Sequence, residues 1–406
     1  MPTVELVSNI SHYYYTALSL LRCGFLGHFI TGPRALQNEQ WMERVYPFKR
    51  LWVERQLADI PPAHVKRLWL PEIAQKVTRK LGGTSERSNW IHNELFAREA
   101  ALRMGDVDAV HFVNSVGLEA ARKAKRTSAL CICDMRMEHP AFQEEILAEE
   151  GKQLDIDVVV PGSSYKHRIL AELEIADYIV CPSSYAKRTF VDRGMDAGKI
   201  VVCPYGFDTE TFTPVQRSTR QPGGVFVVLF LGSICMRKGV YYLLEGFKRA
   251  ALSNSRLVLA GPIDPAFRSI LQRYDGLFEA VGAVPKLQVP QYYQAADVFV
   301  LPSLADAYPL VAIEATGSGV PLIVSENTGA ADVVRENGNG FVVPVRDADS
   351  IAEKLTWLHA RREQCIEMGE RGCRAKERLS WARYEESLAG FYQTIFAAAQ
   401  ECNPGR

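Results

Sequence analysis

The sequence predicts an α/β protein of two doubly wound domains followed by a terminal helix. Three observations lead there. Short apolar runs alternate with helical patterns over most of the 406 residues, the mark of a parallel sheet covered by helices. The runs are apolar on both faces, as strands in the middle of a parallel sheet are. One stretch breaks the rhythm: between Thr211 and Gly224 lies TFTPVQRSTRQPGG, rich in Pro, Gly, Ser and Thr, which reads as a linker. At roughly 100–200 residues per domain the length suits two or three domains.

The elements follow in order. The first domain, residues 1–212, opens with a strand that leads into the loop Asn9–Tyr15 (NISHYYY). It continues with strand candidates Val110–Val113, Ala129–Cys133, Tyr178–Cys181 and Ile200–Cys203. The second domain, residues 223–380, shows the alternation more clearly. Val225–Leu231 (VFVVLFL) reads as a buried strand, followed by a glycine-containing loop and the helical pattern Val240–Ala251. Arg256–Ala260 precedes a helix around Pro265–Tyr274. Val298–Leu301 precedes the helical pattern Leu310–Thr316, and Pro321–Val324 is a further strand. Residues 381–399 form an amphipathic helix expected to pack back on the first domain.

Composition narrows the function. Lys plus Arg and Asp plus Glu both number 47, so the formal net charge is zero. The broad basic field that supplies most nucleic-acid affinity is missing. No apolar run reaches the ~18 residues needed to cross a bilayer. The opening MPTVELVSNIS has no basic region leading into an apolar stretch, so no secretory signal is expected. Nine cysteines occur without a CxxC pair, and the nearest two, Cys131 and Cys133, lie inside a strand candidate. Buried reduced thiols and a cytoplasmic location fit that pattern.

In an open parallel sheet, ligands bind beyond the carboxyl ends of the strands. The first such loop to consider is Gly232–Gly239, GSICMRKG. Glycines let the backbone approach a phosphate, a helix N-terminus follows, and Arg237 and Lys238 add two charges. A solvated basic pair opening a helix accounts for the same residues, and the spacing is not that of a P-loop. The second loop, PSLADAYPL, delivers Asp306, with Glu314 eight residues on in the next helix. Both acids can face one crevice and accept hydrogen bonds from sugar hydroxyls, or they are a helix cap and a surface glutamate. His139, in DMRMEHP, also follows a strand's carboxyl end. No GxGxxG follows a strand, since Gly24 and Gly27 precede one. No GxSxG elbow or HExxH is present, and the eight histidines are dispersed, so no metal site is expected.

These pieces in this order resemble the family 4 glycosyltransferases, retaining sugar-nucleotide enzymes of the GT-B fold. The matching stretches are IADYIVCPSSYAKRTFVDRGMDAGKIVVCPYGFDTETFTP, LGSICMRKGVYYLLEGF and VGAVPKLQVPQYYQAADVFVLPS. They continue with DAYPLVAIEATGSGVPLIVSENTG, ENGNGFVVP and LSWARYEESLAGFY. The resemblance implies a nucleotide-sugar donor bound in the second domain, a glycosyl acceptor against the first, and no metal or other cofactor. It implies that Lys238 meets the donor diphosphate beside Gly232. The family's second basic residue is replaced by Ser233, so Arg237 would supply that charge. The family's EX7E signature stands as Asp306-X7-Glu314, the first acid on sugar hydroxyls and Glu314 on the ribose. Between them Tyr308 and Leu310 would offer backbone N–H groups, while Pro309 has none. His139 matches a first-domain histidine that borders the transferred sugar. No DxD is present.

A GT-B sugar-nucleotide epimerase and a non-catalytic donor-binding accessory protein are the competing readings, and Ser233 and Asp306 keep the second open. On the acceptor side His12, Tyr13 and Tyr14 should line the cleft and stack on a ring, or else pack the core. Residues 34–80 hold ten basic against five acidic side chains, interleaved with Trp41, Tyr46, Phe48, Trp52 and Trp69. Such a stretch suits peripheral contact with an anionic membrane surface, or simply a solvated basic face.

Overall fold

The computed structural model describes residues 1–33, 35–36, 56–57, 59–82, 84–156, 165–214 and 224–402. Most of the expected linker (215–223) lies outside the described residues, as do Arg34, Trp41, Arg44, Tyr46, Phe48, Lys49, Arg50, Trp52 and Arg55.

Two parallel sheets form the molecule. The first is built from β1 (Val4–Val7), β2 (Leu26–Thr31), β5 (Val65–Arg67), β6 (Ala109–Val113), β7 (Leu130–Asp134), β8 (Tyr178–Cys181) and β9 (Ile200–Val202). Their spatial order is β5-β2-β1-β6-β7-β8-β9. Two short segments, β3 (Ala35–Leu36) and β4 (Gln56–Leu57), pair only with each other. The second sheet holds β10 (Phe226–Leu231), β11 (Ser255–Ala260), β12 (Glu279–Gly282), β13 (Val298–Leu301), β14 (Leu322–Ser325) and β15 (Gly340–Val343), in the order β12-β11-β10-β13-β14-β15. Every residue of β10 and β13 is buried, as the continuous apolar runs FVVLFL and VFVL require of central strands.

The strands absent from the sequence expectation include the sheet edges β5, β12 and β15. β12 (EAVG) is mostly exposed, and β5 (VKR) is a half-buried edge. β1 contains Glu5, which is buried because His28 (2.8 Å) and Lys66 (3.2 Å) bond its carboxylate from β2 and β5. The helix expected around Pro265–Tyr274 is a 3-10 turn, Pro265–Phe267, running into the short helix Arg268–Gln272. Among the described residues no disulfide joins the cysteines, and Cys131 and Cys133 are buried in β7.

The last helix, Trp381–Cys402, lies against the helix Tyr13–Arg22 of the first sheet's side. Thr16 and Tyr384 share a hydroxyl hydrogen bond of 2.7 Å, and Trp381 stacks on Tyr15 with centroids 4.0 Å apart. Tyr392 reaches the buried His111 of β6 at 2.5 Å. Chain that begins beyond the second sheet thus closes the first.

Candidate active site

Each sheet has one place where successive connections change direction: between β1 and β6 in the first, between β10 and β13 in the second. Loops leaving the strands there diverge and open a crevice, the general ligand position in doubly wound sheets. The loops after β10 and β13 are those that hold Arg237, Lys238 and Asp306. Local geometry fixes both. Gly239 has φ +66°, and a Cβ there would lie 1.9 Å from the Pro302 carbonyl oxygen, so only glycine lets the two loops touch. Leu304 N–H donates to the Arg237 carbonyl (2.9 Å), and Arg237 Nη1 donates to the Ala305 carbonyl (2.8 Å). Asp306 is held in turn by Asn327 and Gly329 through its own backbone (3.1 and 3.0 Å).

The Lys238 ammonium forms an ion pair with Asp306 Oδ2, and both side chains are largely buried. Burial disfavours the charge on Arg237, but Asp306 and Glu138 outweigh it and hold the guanidinium above its ordinary range. The two cations expected at a diphosphate therefore face carboxylates in this structure. Gly232 is half-buried at the strand end and Ser233 is exposed beside it. Tyr308 is buried with its ring edge-on to Tyr205 (6.0 Å), Pro309 is the N-cap of the helix Leu310–Gly317, and Leu310 is its first residue.

Between the sheets lies a pocket of about 360 Å³. From the first sheet's side it is lined by Asn114 and Ser115 after β6, Arg136, Met137 and Glu138 after β7, and Gln143; from the second by Arg237, Asp306 and Ala307. Glu138 is 1% exposed, and Gln143 Nε2 donates to its Oε1 at 2.7 Å. Burial pushes the Glu138 carboxyl up, against the pull of Arg237. The loop after β6 hangs on another buried acid. Glu172, 0% exposed, accepts backbone N–H bonds from Ser115 (2.6 Å), Gly117 (2.8 Å) and Leu118 (3.1 Å). Its burial outweighs those bonds and pushes the carboxyl up to about 7.

The other expected residues stand as follows. His139 is not among the residues lining this pocket. It caps the helix Pro140–Leu154, accepting from Ala141 N–H (3.2 Å), with its ring edge-on to Phe190. Burial pushes this imidazole down to about 4, and Arg193 adds to the effect. Glu314 does not line the pocket with Asp306 either. It lies along the helix, where the Tyr293 hydroxyl reaches it at 3.2 Å, and burial pushes its carboxyl up to about 7 while Tyr293 and Lys286 oppose. Tyr13 is fully buried against His111 instead of lining the cleft. His12 stands at the N-cap of the helix Tyr13–Arg22 beside Tyr205 (4.9 Å), and the Tyr14 hydroxyl donates to Asp59. Glu138, Gln143 and Glu172 escaped the sequence reading. Glu138 stands one residue from His139, and a strand's carboxyl-end position applies equally to both.

Comparison with known proteins fits this geometry. Residues 225–361 match the family model "Glycosyl transferases group 1". The chain is 30% identical over 266 residues to D-inositol 3-phosphate glycosyltransferase of Geodermatophilus obscurus, covering 59% of this chain and 58% of that protein. It is 26% identical over 204 residues to the putative glycosyltransferase EpsD of Bacillus subtilis, covering 46% and 52%. The chain thus spans just over half the length of these curated relatives. Among solved structures, sucrose-phosphate synthase of Thermosynechococcus elongatus superposes with a TM-score of 0.63 at 19% identity over 98% of this chain and 100% of that one. Anabaena HepE, solved with UDP, gives 0.64 at 13% identity over 97% and 100%. The segment that bears both second-sheet loops is therefore similar to the glycosyl transferases group 1, and it sits in a GT-B fold.

Proposed function

We propose that the protein is a retaining glycosyltransferase that moves a sugar from a nucleoside diphosphate to an acceptor, with no metal required. The observation that supports this reading best is the convergence of Arg237 and Asp306, with Lys238 paired to Asp306 just behind, on one pocket across from the first sheet's loops. When the nucleoside diphosphate departs, negative charge builds on its oxygens. Lys238, released from Asp306, and Arg237 would stabilise that charge in a cleft of low dielectric. Asp306, an acceptor-only group once ionised, would take a sugar hydroxyl, and Glu314 a ribose hydroxyl. The acceptor oxygen bonds the anomeric carbon, the broken bond's electron pair stays on the diphosphate, and the acceptor's proton passes to that departing diphosphate oxygen. HepE, of similar fold, was solved with UDP and with UDP-glucose, and a donor of that class is the one proposed here. Incubating the protein with UDP-, GDP- and ADP-sugars and a panel of sugar and sugar-phosphate acceptors should release the diphosphate only when an acceptor is present. A protein that binds these donors but never releases the diphosphate would be an accessory protein instead.

The reading includes peripheral contact of a cytoplasmic protein with an anionic membrane. Among the described residues no helix is long and apolar enough to cross a membrane. The helix Leu70–Lys80 leaves Leu70, Ile73 and Val77 about half exposed, with Leu81 just beyond, alongside Lys76, Arg79 and Lys80. An apolar stripe flanked by lysines and arginine suits the headgroup region of anionic lipid. The protein should sediment with phosphatidylglycerol vesicles and not with phosphatidylcholine ones, and Ile73→Ser with Val77→Ser should abolish the difference.

A further inference from the structure

The pocket contains more hydrogen-bond acceptors than the diphosphate chemistry uses, and they belong to the first sheet's side. Glu138 is buried, lines the pocket together with Arg237 and Asp306, and is fixed on one oxygen by Gln143. Gln143 is itself 5% exposed, and its Oε1 is buried without a hydrogen-bond partner. Turning the amide over would not relieve this, because it would set the amide oxygen against the Glu138 carboxylate. Two neighbouring acceptors on one pocket wall call for a ligand that donates, and the buried Arg136 Nε beside them, also without a hydrogen-bond partner, for one that accepts as well. Phosphate oxygens only accept, and Glu138 and Asp306 offset the charge that Arg136 and Arg237 would offer a phosphate here. A hydroxyl meets neither objection.

We infer that Glu138 determines specificity for a hydroxyl-bearing ligand: its carboxylate, oriented by Gln143, accepts a hydrogen bond from a ligand hydroxyl seated beside Arg237 and Asp306. The inference rests on the transferase reading and adds a residue to it from the opposite wall. Two sources share this chemistry, the glycosyl group of the donor and the acceptor. A buried carboxylate built to receive a hydroxyl rejects analogues that lack it, because the carboxylate is then left unpaired.

The experiment compares wild type with Glu138→Gln and Glu138→Asp. Calorimetry uses UDP, GDP and ADP and their glucose, galactose and mannose conjugates, and turnover is followed on hexoses and hexose phosphates. If the hydroxyl belongs to the donor, Glu138→Gln weakens the sugar nucleotide by about ten- to hundredfold, the range for a bond to a charged group, and leaves the bare diphosphate within twofold. If it belongs to the acceptor, both donor affinities hold and the acceptor KM rises by a similar factor. In either arm Glu138→Asp restores part of the loss, which a merely structural carboxylate would not predict for ligand affinity. Thermal melts show which variant is folded, and a folded variant of either kind that binds and turns over like wild type overturns the inference. Equal weakening of the diphosphate and its sugar conjugate also overturns it. If wild type binds no sugar nucleotide at all, the transferase reading fails first and takes this one with it.

Discussion

The two walls of the cleft reach similar precision by different means. On the second sheet's side, loops after β10 and β13 are locked by backbone contact: Gly239 against Pro302, Leu304 N–H on the Arg237 carbonyl, Asp306 between Asn327 and Gly329. On the first sheet's side the loop after β6 is held by one carboxylate, Glu172, which takes three backbone N–H groups at once. A backbone lattice is indifferent to pH and to most side-chain changes. A buried acid concentrates the same task in one titratable group. The comparison teaches that the second wall should fail through its reacting charges and the first through its support.

Lys238→Ala should have the largest effect. Losing one charge-stabilising contact costs about 3–4 kcal/mol of transition-state stabilisation, which kcat/KM on the best donor would register. The ion pair adds a second consequence, since Asp306 is left buried and short of its partner, at a cost of about 1–3 kcal/mol in stability. Adding Asp306→Asn should recover much of that stability and none of the turnover. A double variant that recovers turnover would put Lys238 outside the chemistry.

Glu172→Ala should break the other wall. Three backbone donors lose their acceptor, and at roughly 1–3 kcal/mol for each unsatisfied buried group the loss should reach about 3 kcal/mol or more. Urea unfolding measures it. A loss no larger than that of a surface substitution would mean water replaces the carboxylate, and the contrast between the walls would vanish.

Glu314→Gln should weaken the donor and its bare diphosphate alike, by about ten- to hundredfold if the carboxylate holds the ribose. It also probes stability. Glu172 and Glu314 both have carboxyls raised to about 7 in the fold. A raised acid binds its proton more tightly folded than unfolded, so the stability it contributes is full below about 4.5 and is lost as pH rises through about 7. The melting temperature should fall over that window, and Glu314→Gln should flatten the fall. A steeper fall in the variant would contradict the assignment.

The smallest effect is expected at His139. As a helix cap its replacement by alanine should cost about 1 kcal/mol and change turnover less than twofold. A loss of turnover comparable to that of Lys238→Ala would return the histidine to the reacting group.

The sequence by itself determined the second sheet and its loops. Continuous apolar runs force central parallel strands, and the glycine, basic and acidic residues that follow β10 and β13 stand at strand ends whatever the rest of the chain does. It also determined the terminal helix, through its amphipathic pattern. Tertiary structure alone decided which neighbours those residues meet. That Lys238 pairs with Asp306, that Glu314 turns to Tyr293, and that Glu138 instead of His139 lines the pocket all depend on side-chain direction, which strand-end position does not specify. The same holds for Glu5 and Glu172. Nothing local distinguishes a buried acid from a solvated one, because its burial is made tolerable by partners brought from elsewhere in the chain: His28 and Lys66 for Glu5, three backbone N–H groups for Glu172.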